Sequence, residues 1–159
     1  MKREIKFRAW DKVHECYLYD VQGAYDTLSG CVKYEDGEDA DYDEDCFAGF
    51  LDNEQYIVEQ YTGLHDKNGR EIYEGDLFEH KFGYTVFDDP PHVEMGTEYG
   101  VVTFDNGQFV VSTPGWGGRN LYELLLLNGH LNDMPDSDLF TMKVVGNKFE
   151  NPELLEGKQ

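Results

Sequence analysis

The chain has 159 residues, enough for a single domain whose core needs neither disulfides nor a structural metal. Hydrophobic residues make up 40% and aromatics 14%, which excludes wholesale disorder. With 13 Lys+Arg against 33 Asp+Glu the net charge is −20, which sets the chain against nucleic-acid phosphates and anionic membrane surfaces.

Taken in order, Ile5, Phe7 and Ala9 alternate with Lys6, Arg8 and Trp10, the period of a half-buried strand. A second short strand is expected at Cys16–Val21. Lys2, Arg3, Lys6, Arg8 and Lys12 concentrate basic charge at this end, and the Lys6/Arg8/Trp10 face is the one feature favouring nucleic acid. The stretch 34–54 is acidic and contains no Lys or Arg, so it reads as an insertion or long solvated loop that can rest against the basic first strand.

The centre carries the clearest turn chemistry. Tyr56–Tyr61 is rich in β-formers, and Asp66-Lys67-Asn68-Gly69 then supplies a turn into Glu71–Tyr73. Gly75-Asp76 reads as a kink before Leu77–Phe82. Gly63, Gly69 and Gly75 are read as backbone hinges, and Asp66, Asn68 and Asp76 as side chains that satisfy turn amides. Residues 83–98, with Asp88-Asp89-Pro90-Pro91, read as a variable loop. Val101–Phe104 and Gln108–Val111 flank Asp105-Asn106-Gly107, which predicts a hairpin with a three-residue connection and a bulge at Gly107. After a loop at Thr113–Arg119, Asn120 is placed as a helix N-cap with Glu123 three residues on, and Leu121, Leu124 and Leu125 share a face. A last strand at Lys143–Phe149 and a helical turn at Glu153–Leu155 follow. The sum is a mainly β chain of roughly six or more short strands with one helix near the C-terminus, a small barrel or curled sheet rather than a sandwich.

Cys16, Cys31 and Cys46 are odd in number and lack CxxC spacing, and Met1-Lys2-Arg3-Glu4 opens no apolar signal core. The expectation is a cytoplasmic protein with free thiols.

The run YTGLHDKNGREIYEGDLF (Tyr61–Phe78) resembles the hallmark segment of the YopX family of phage and prophage proteins. IKFRAWD (Ile5–Asp11), GVVTFDNGQFV (Gly100–Val110) and VVGNKFENPELL (Val144–Leu155) agree with it, in the family's order and along the whole chain. The resemblance implies a single YopX-like domain over 1–159, a core similar to an SH3-like barrel, and an origin in a phage or prophage-bearing bacterium. It brings no biochemical activity with it.

Catalytic and metal motifs are weak. Asp41, Asp43 and Asp45 alternate like an EF-hand start, but Cys46 stands where the turn glycine belongs and Asp52 where the bidentate Glu belongs. His14 and Cys16 could meet on one strand face, yet no paired zinc spacing follows. There is no G-x-S-x-G elbow, and Pro114–Arg119 fits neither a P-loop nor G-x-G-x-x-G. No catalytic, cofactor-binding or metal residue is assigned, and metal-assisted hydrolysis by clustered carboxylates stays a minor alternative. The candidate interaction surface is Asp39, Asp41, Asp43, Glu44 and Asp45 together with Trp116, which reads as either a tucked structural indole or an exposed anchor. The expected partner is a host or phage protein, basic in character. A DNA-mimicking inhibitor of a nucleic-acid-binding defence or repair protein is the second reading. No coiled-coil pattern sets an oligomeric state, so self-assembly stays open.

Overall fold

In the computed structural model, residues 3–27, 30–115, 117–130 and 138–156 are described, and the chain divides into two units, Met1–Gly63 and Leu64–Gln159. The fold is mainly β, as expected, with two antiparallel sheets, one of them a curled half-barrel, and few helices.

In the first unit β1 (Phe7–Asp11) is flanked by β2 (Cys16–Tyr19) and β3 (Tyr56–His65), both antiparallel to it. The β1–β2 turn is built on Asp11, whose Oδ1 accepts the N–H of Val13 at 2.9 Å and of His14 at 3.1 Å. Phe7 and Ala9 pack with Leu18 and Val58, as their alternation predicts. The opposite face is not an exposed basic strip. Arg8 and Trp10 are buried, and the register sets Arg8 beside Glu59, with Nε 2.9 Å from Oε1. The Tyr17 hydroxyl donates to the same oxygen at 2.9 Å, and the guanidinium lies 4.1 Å from the Tyr17 ring centroid.

The acidic stretch is a largely exposed loop as far as Cys46, as expected, but it is anchored to the core and ends in a helix. Backbone bonds from Tyr34 to Glu38 and from Ala40 to Val32 close a small turn, and Lys33 bridges to Asp39. Ala40 and Tyr42 point into the core, and a short helix, α1 (Phe47–Asp52), adds Phe50, which is fully buried against Tyr42 and Tyr56. Burial of these side chains contributes about 1.5–3 kcal/mol for the larger ones, which outweighs the weak repulsion among exposed carboxylates.

In the second unit the chain turns at Asp66 into β4 (Glu71–Tyr73). The five-stranded sheet follows in the order β8-β7-β6-β5-β9, formed by β5 (Asp76–Val86), β6 (His92–Asp105), β7 (Gln108–Thr113), β8 (Gly117–Asn120) and β9 (Asp138–Asn147). Its core is Ile72, Phe78, Val102, Val111, Met142 and Val144, closed by Leu121 and Leu124 of α2 (Leu121–His130). The Glu123 N–H donates to Asn120 Oδ1 at 2.9 Å, so the N-cap sits where the sequence places it.

Three local readings change. Residues 83–98 are not a loop: β5 and β6 continue as a hairpin to the pair Val86–His92, and only Phe87–Pro91 turns. Gly117–Asn120 is a strand paired with β7 rather than part of a loop. The β6–β7 connection has two residues, because Asp105 pairs with Gln108. Asn106 (φ 51°) and Gly107 (φ 81°) are both left-handed, the signature of a type I′ turn rather than a glycine bulge.

Two substitutions test this account. Phe50→Ala is expected to lower stability by about 3–5 kcal/mol in urea denaturation, where a loop residue would change it by about 0.5 kcal/mol or less. Asp66→Asn, which sets an amide donor against a backbone N–H, is expected to cost about 1.5–3 kcal/mol in the same measurement.

Candidate interaction surface

The turn residues of the central segment face backbone. Asp66 is buried, its Oδ1 accepting the N–H of Asn68 and of Arg70, both at 2.9 Å. Its Oδ2 accepts the N–H of Val144 on β9 at 2.8 Å. Gly69, at φ 84°, closes the turn with an N–H to the Asp66 carbonyl, a conformation a side chain would strain. Asp76 accepts the Tyr73 N–H at 2.9 Å, and Gly75 donates to the Val102 carbonyl while its own carbonyl receives Lys148. Gly63, also at positive φ, marks the end of the first unit.

The acidic residues divide into two groups. Asp39, Asp41 and Asp43 are exposed and alternate with the buried Ala40 and Tyr42, so three carboxylates form one outward row. Lys33 pairs with Asp39, and this bond raises the lysine above its ordinary value. Glu44 turns aside and accepts Asn53 Nδ2 at 2.5 Å, while Asp45 stays exposed just before α1. Gly49 leaves the space that the Glu44 carboxylate fills. Burial first, then the charges of Asp11, Asp43 and Glu44, pushes the Tyr56 hydroxyl up to about 12. Trp116 lies outside the described residues.

The residues considered for metal or nucleophilic chemistry are engaged otherwise. His14 Nδ1 lies 2.7 Å from Asp11 Oδ2, and burial, with Asp11 beside it, pushes the Cys16 thiol up and away from thiolate. Among the described residues no three His, Cys, Asp or Glu side chains group to hold a metal, Asp41, Asp43 and Asp45 included.

The hairpin arm formed by the outer halves of β5 and β6 exposes Tyr84, Phe87, Val93 and Met95, and the sequence reading missed it. The signal was the alternation of Val93, Met95 and Thr97 with Glu94 and Glu98, broken to the eye by Gly83 and Gly96. Gly96 is where the Phe82 ring lies, 2.7 Å from the position a Cβ would take.

Asp11 gives a pH test. Burial raises its carboxyl, but the hydrogen bonds from Gln55, the His14 ring, and the His14 and Val13 amides outweigh that and hold it below the usual value of 3.8. A depressed carboxylate contributes stability that is present above the unfolded value and lost as pH falls through the folded one. Asp11→Asn is therefore expected to lose less stability than the wild type as pH drops below about 4, read from urea midpoints at each pH.

A family model described as YopX protein matches residues 6–156. Among solved structures, protein EF1440 from Enterococcus faecalis is 27% identical, with a TM-score of 0.53 over 97% of this chain and 99% of that one. Protein yopX from Bacillus subtilis is 19% identical, with a TM-score of 0.47 over 97% of this chain and 98% of that one. No curated protein matches. No helix among the described residues is long and apolar enough to cross a membrane. A family match that begins one residue before the first strand and ends in the last turn leaves one assignment: the chain belongs to the YopX family.

Proposed function

We propose that this chain is a phage or prophage accessory protein, cytoplasmic in its bacterial host, that acts by binding a basic protein rather than by catalysis. The observation that carries the reading is the row Asp39, Asp41 and Asp43, held outward by a segment whose other side is anchored through Ala40, Tyr42 and Phe50. A charged row on a fixed backbone presents a pattern a partner can read, whereas a mobile acidic loop presents only net charge. Among the described residues the buried carboxylates are engaged within the fold: Asp11, Asp66 and Asp76 accept backbone N–H groups, and Glu59 accepts from Arg8 and the Tyr17 hydroxyl.

A second reading is favoured by the same row. Three exposed carboxylates at alternate positions form a line of negative charge, and such a line can occupy a phosphate-binding groove. The partner would then be a nucleic-acid-binding protein.

The test is affinity capture from the host with the wild type and with the triple variant Asp39→Asn, Asp41→Asn, Asp43→Asn. A partner retained by the wild type, released by salt and weakened about tenfold or more by the variant supports the proposal. Equal retention by both proteins sinks it. Competition by duplex DNA separates the readings, since only a DNA mimic shares its site with the duplex.

A further inference from the structure

Among the described residues the outer part of the β5–β6 hairpin is a two-stranded ribbon. Within the same described residues β7 joins β6 from Val101, which pairs with Ser112, and β9 joins β5 as far as Phe82, which pairs with Asp138. Among the described residues His92–Thr97 of β6 therefore has β5 alone as a ladder partner. Ribbons of two strands are marginal in water, and exposed edges are ordinarily blunted by Lys, Pro or a bulge. This edge, His92-Val93-Glu94-Met95-Gly96-Thr97, contains neither Lys nor Pro and pairs in unbroken register with β5.

Its two faces differ in chemistry. Val93 and Met95 lie on one face, 66% and 56% exposed, opposite Thr85 and the side-chain-free Gly83. Glu94 and Glu98 lie on the other, opposite Tyr84 and His80. Glu94 accepts from the Tyr84 hydroxyl at 3.0 Å and lies 3.0 Å from His92 Nε2, while Glu98 lies 3.0 Å from His80 Nδ1 and accepts the Gly115 N–H at 3.2 Å. The turn adds Asp88 and Asp89 beside the exposed Phe87.

We infer that the His92–Thr97 edge of β6 accepts an extended segment of a partner protein as an added strand, the segment carrying apolar side chains alternating with Lys or Arg. A strand laid on this edge takes main-chain hydrogen bonds from β6 and places alternate side chains on opposite faces. Its apolar residues meet Val93 and Met95, and its basic residues meet Glu94 and Glu98. A second copy of the chain fits this edge poorly, because it brings Asp88, Asp89, Glu94 and Glu98 against like charge in molecules of net charge −20. The inference shares with the proposed function only the basic character of the partner, and it uses a different surface.

The probe is a capped, fluorescent peptide of about nine residues alternating Lys and Val, titrated against the full chain by anisotropy. Saturable binding is expected. It should fall at least about tenfold for a peptide of the same composition in two blocks, and for one N-methylated at alternate residues, which leaves charge intact but removes ladder donors. Val93→Lys with Met95→Lys, exposed positions that leave the core alone, should abolish binding. Asp39→Asn with Asp41→Asn and Asp43→Asn should bind as the wild type does. Equal binding of the three peptides, or loss of binding in the Asp39/Asp41/Asp43 variant, overturns the inference, the latter by moving binding to the acidic row. A wild type that sediments as a dimer and becomes monomeric in the Val93/Met95 variant also overturns it, because the occupant is then a second copy.

Discussion

Three backbone N–H groups converge on the carboxylate of Asp66, two from its own turn and one from Val144, 78 residues further along the chain. Bonds from N–H groups to a buried charged acceptor are worth about 1.5–3 kcal/mol each, more than most single contacts in a β protein. The first two bonds close the turn; the third adds to the β5 ladder in placing the last strand. Where β9 passes Asp66, the Lys67 N–H reaches the Met142 carbonyl, and the β5–β9 register shifts between Leu77 and Glu79. The shift lets Met142 and Val144 enter the core beside Ile72 and Phe78. One carboxylate thus couples the central turn to the strand that completes the five-stranded sheet.

The local half of this device was legible in the sequence and the distant half was not. Asp, Asn and Gly at turn spacing announce side chains that bond their own backbone, and the Asn120 cap followed from the same logic. Nothing in a single sequence links Asp66 to Val144, because that bond depends on tertiary placement. The β6–β7 turn shows a finer loss. Asn-Gly between alternating residues is the type I′ signal, yet the preceding Asp105 invites a three-residue connection, and only the pairing of Asp105 with Gln108 decides.

Two segments were misread for one physical reason: a conspicuous local feature hid a period of two. In the acidic stretch, charge density masked Ala40 and Tyr42 alternating with Asp39, Asp41 and Asp43. In the hairpin arm, prolines and aspartates that belong to a five-residue turn masked the strands on either side. Charge repulsion between exposed groups is worth at most about 1 kcal/mol, and a buried aromatic is worth more, so burial sets the backbone and the charges follow it outward. Arg8 is the converse case. Its alternation was read correctly, but the Arg8 and Trp10 positions of that face are buried, and Glu59 and Tyr17 surround a cation that the alternation had set on a face favouring nucleic acid.

That placement sharpens what the net charge means. Lys33 is paired with Asp39, Lys6 with Glu4 and Arg8 with Glu59, so these cations are committed to nearby carboxylates. Asp41 and Asp43 keep their exposed positions on a fixed backbone, and the Tyr56 hydroxyl, buried beneath them, is pushed up to about 12 in part by Asp43 and Glu44. Salt screens the diffuse field of a −20 chain beyond about 8–10 Å, but it screens contacts inside a dry interface much less. Under the proposed function, selectivity for a partner would rest on the spacing of a few ordered carboxylates, and the remaining charge would act mainly on solubility and encounter rate.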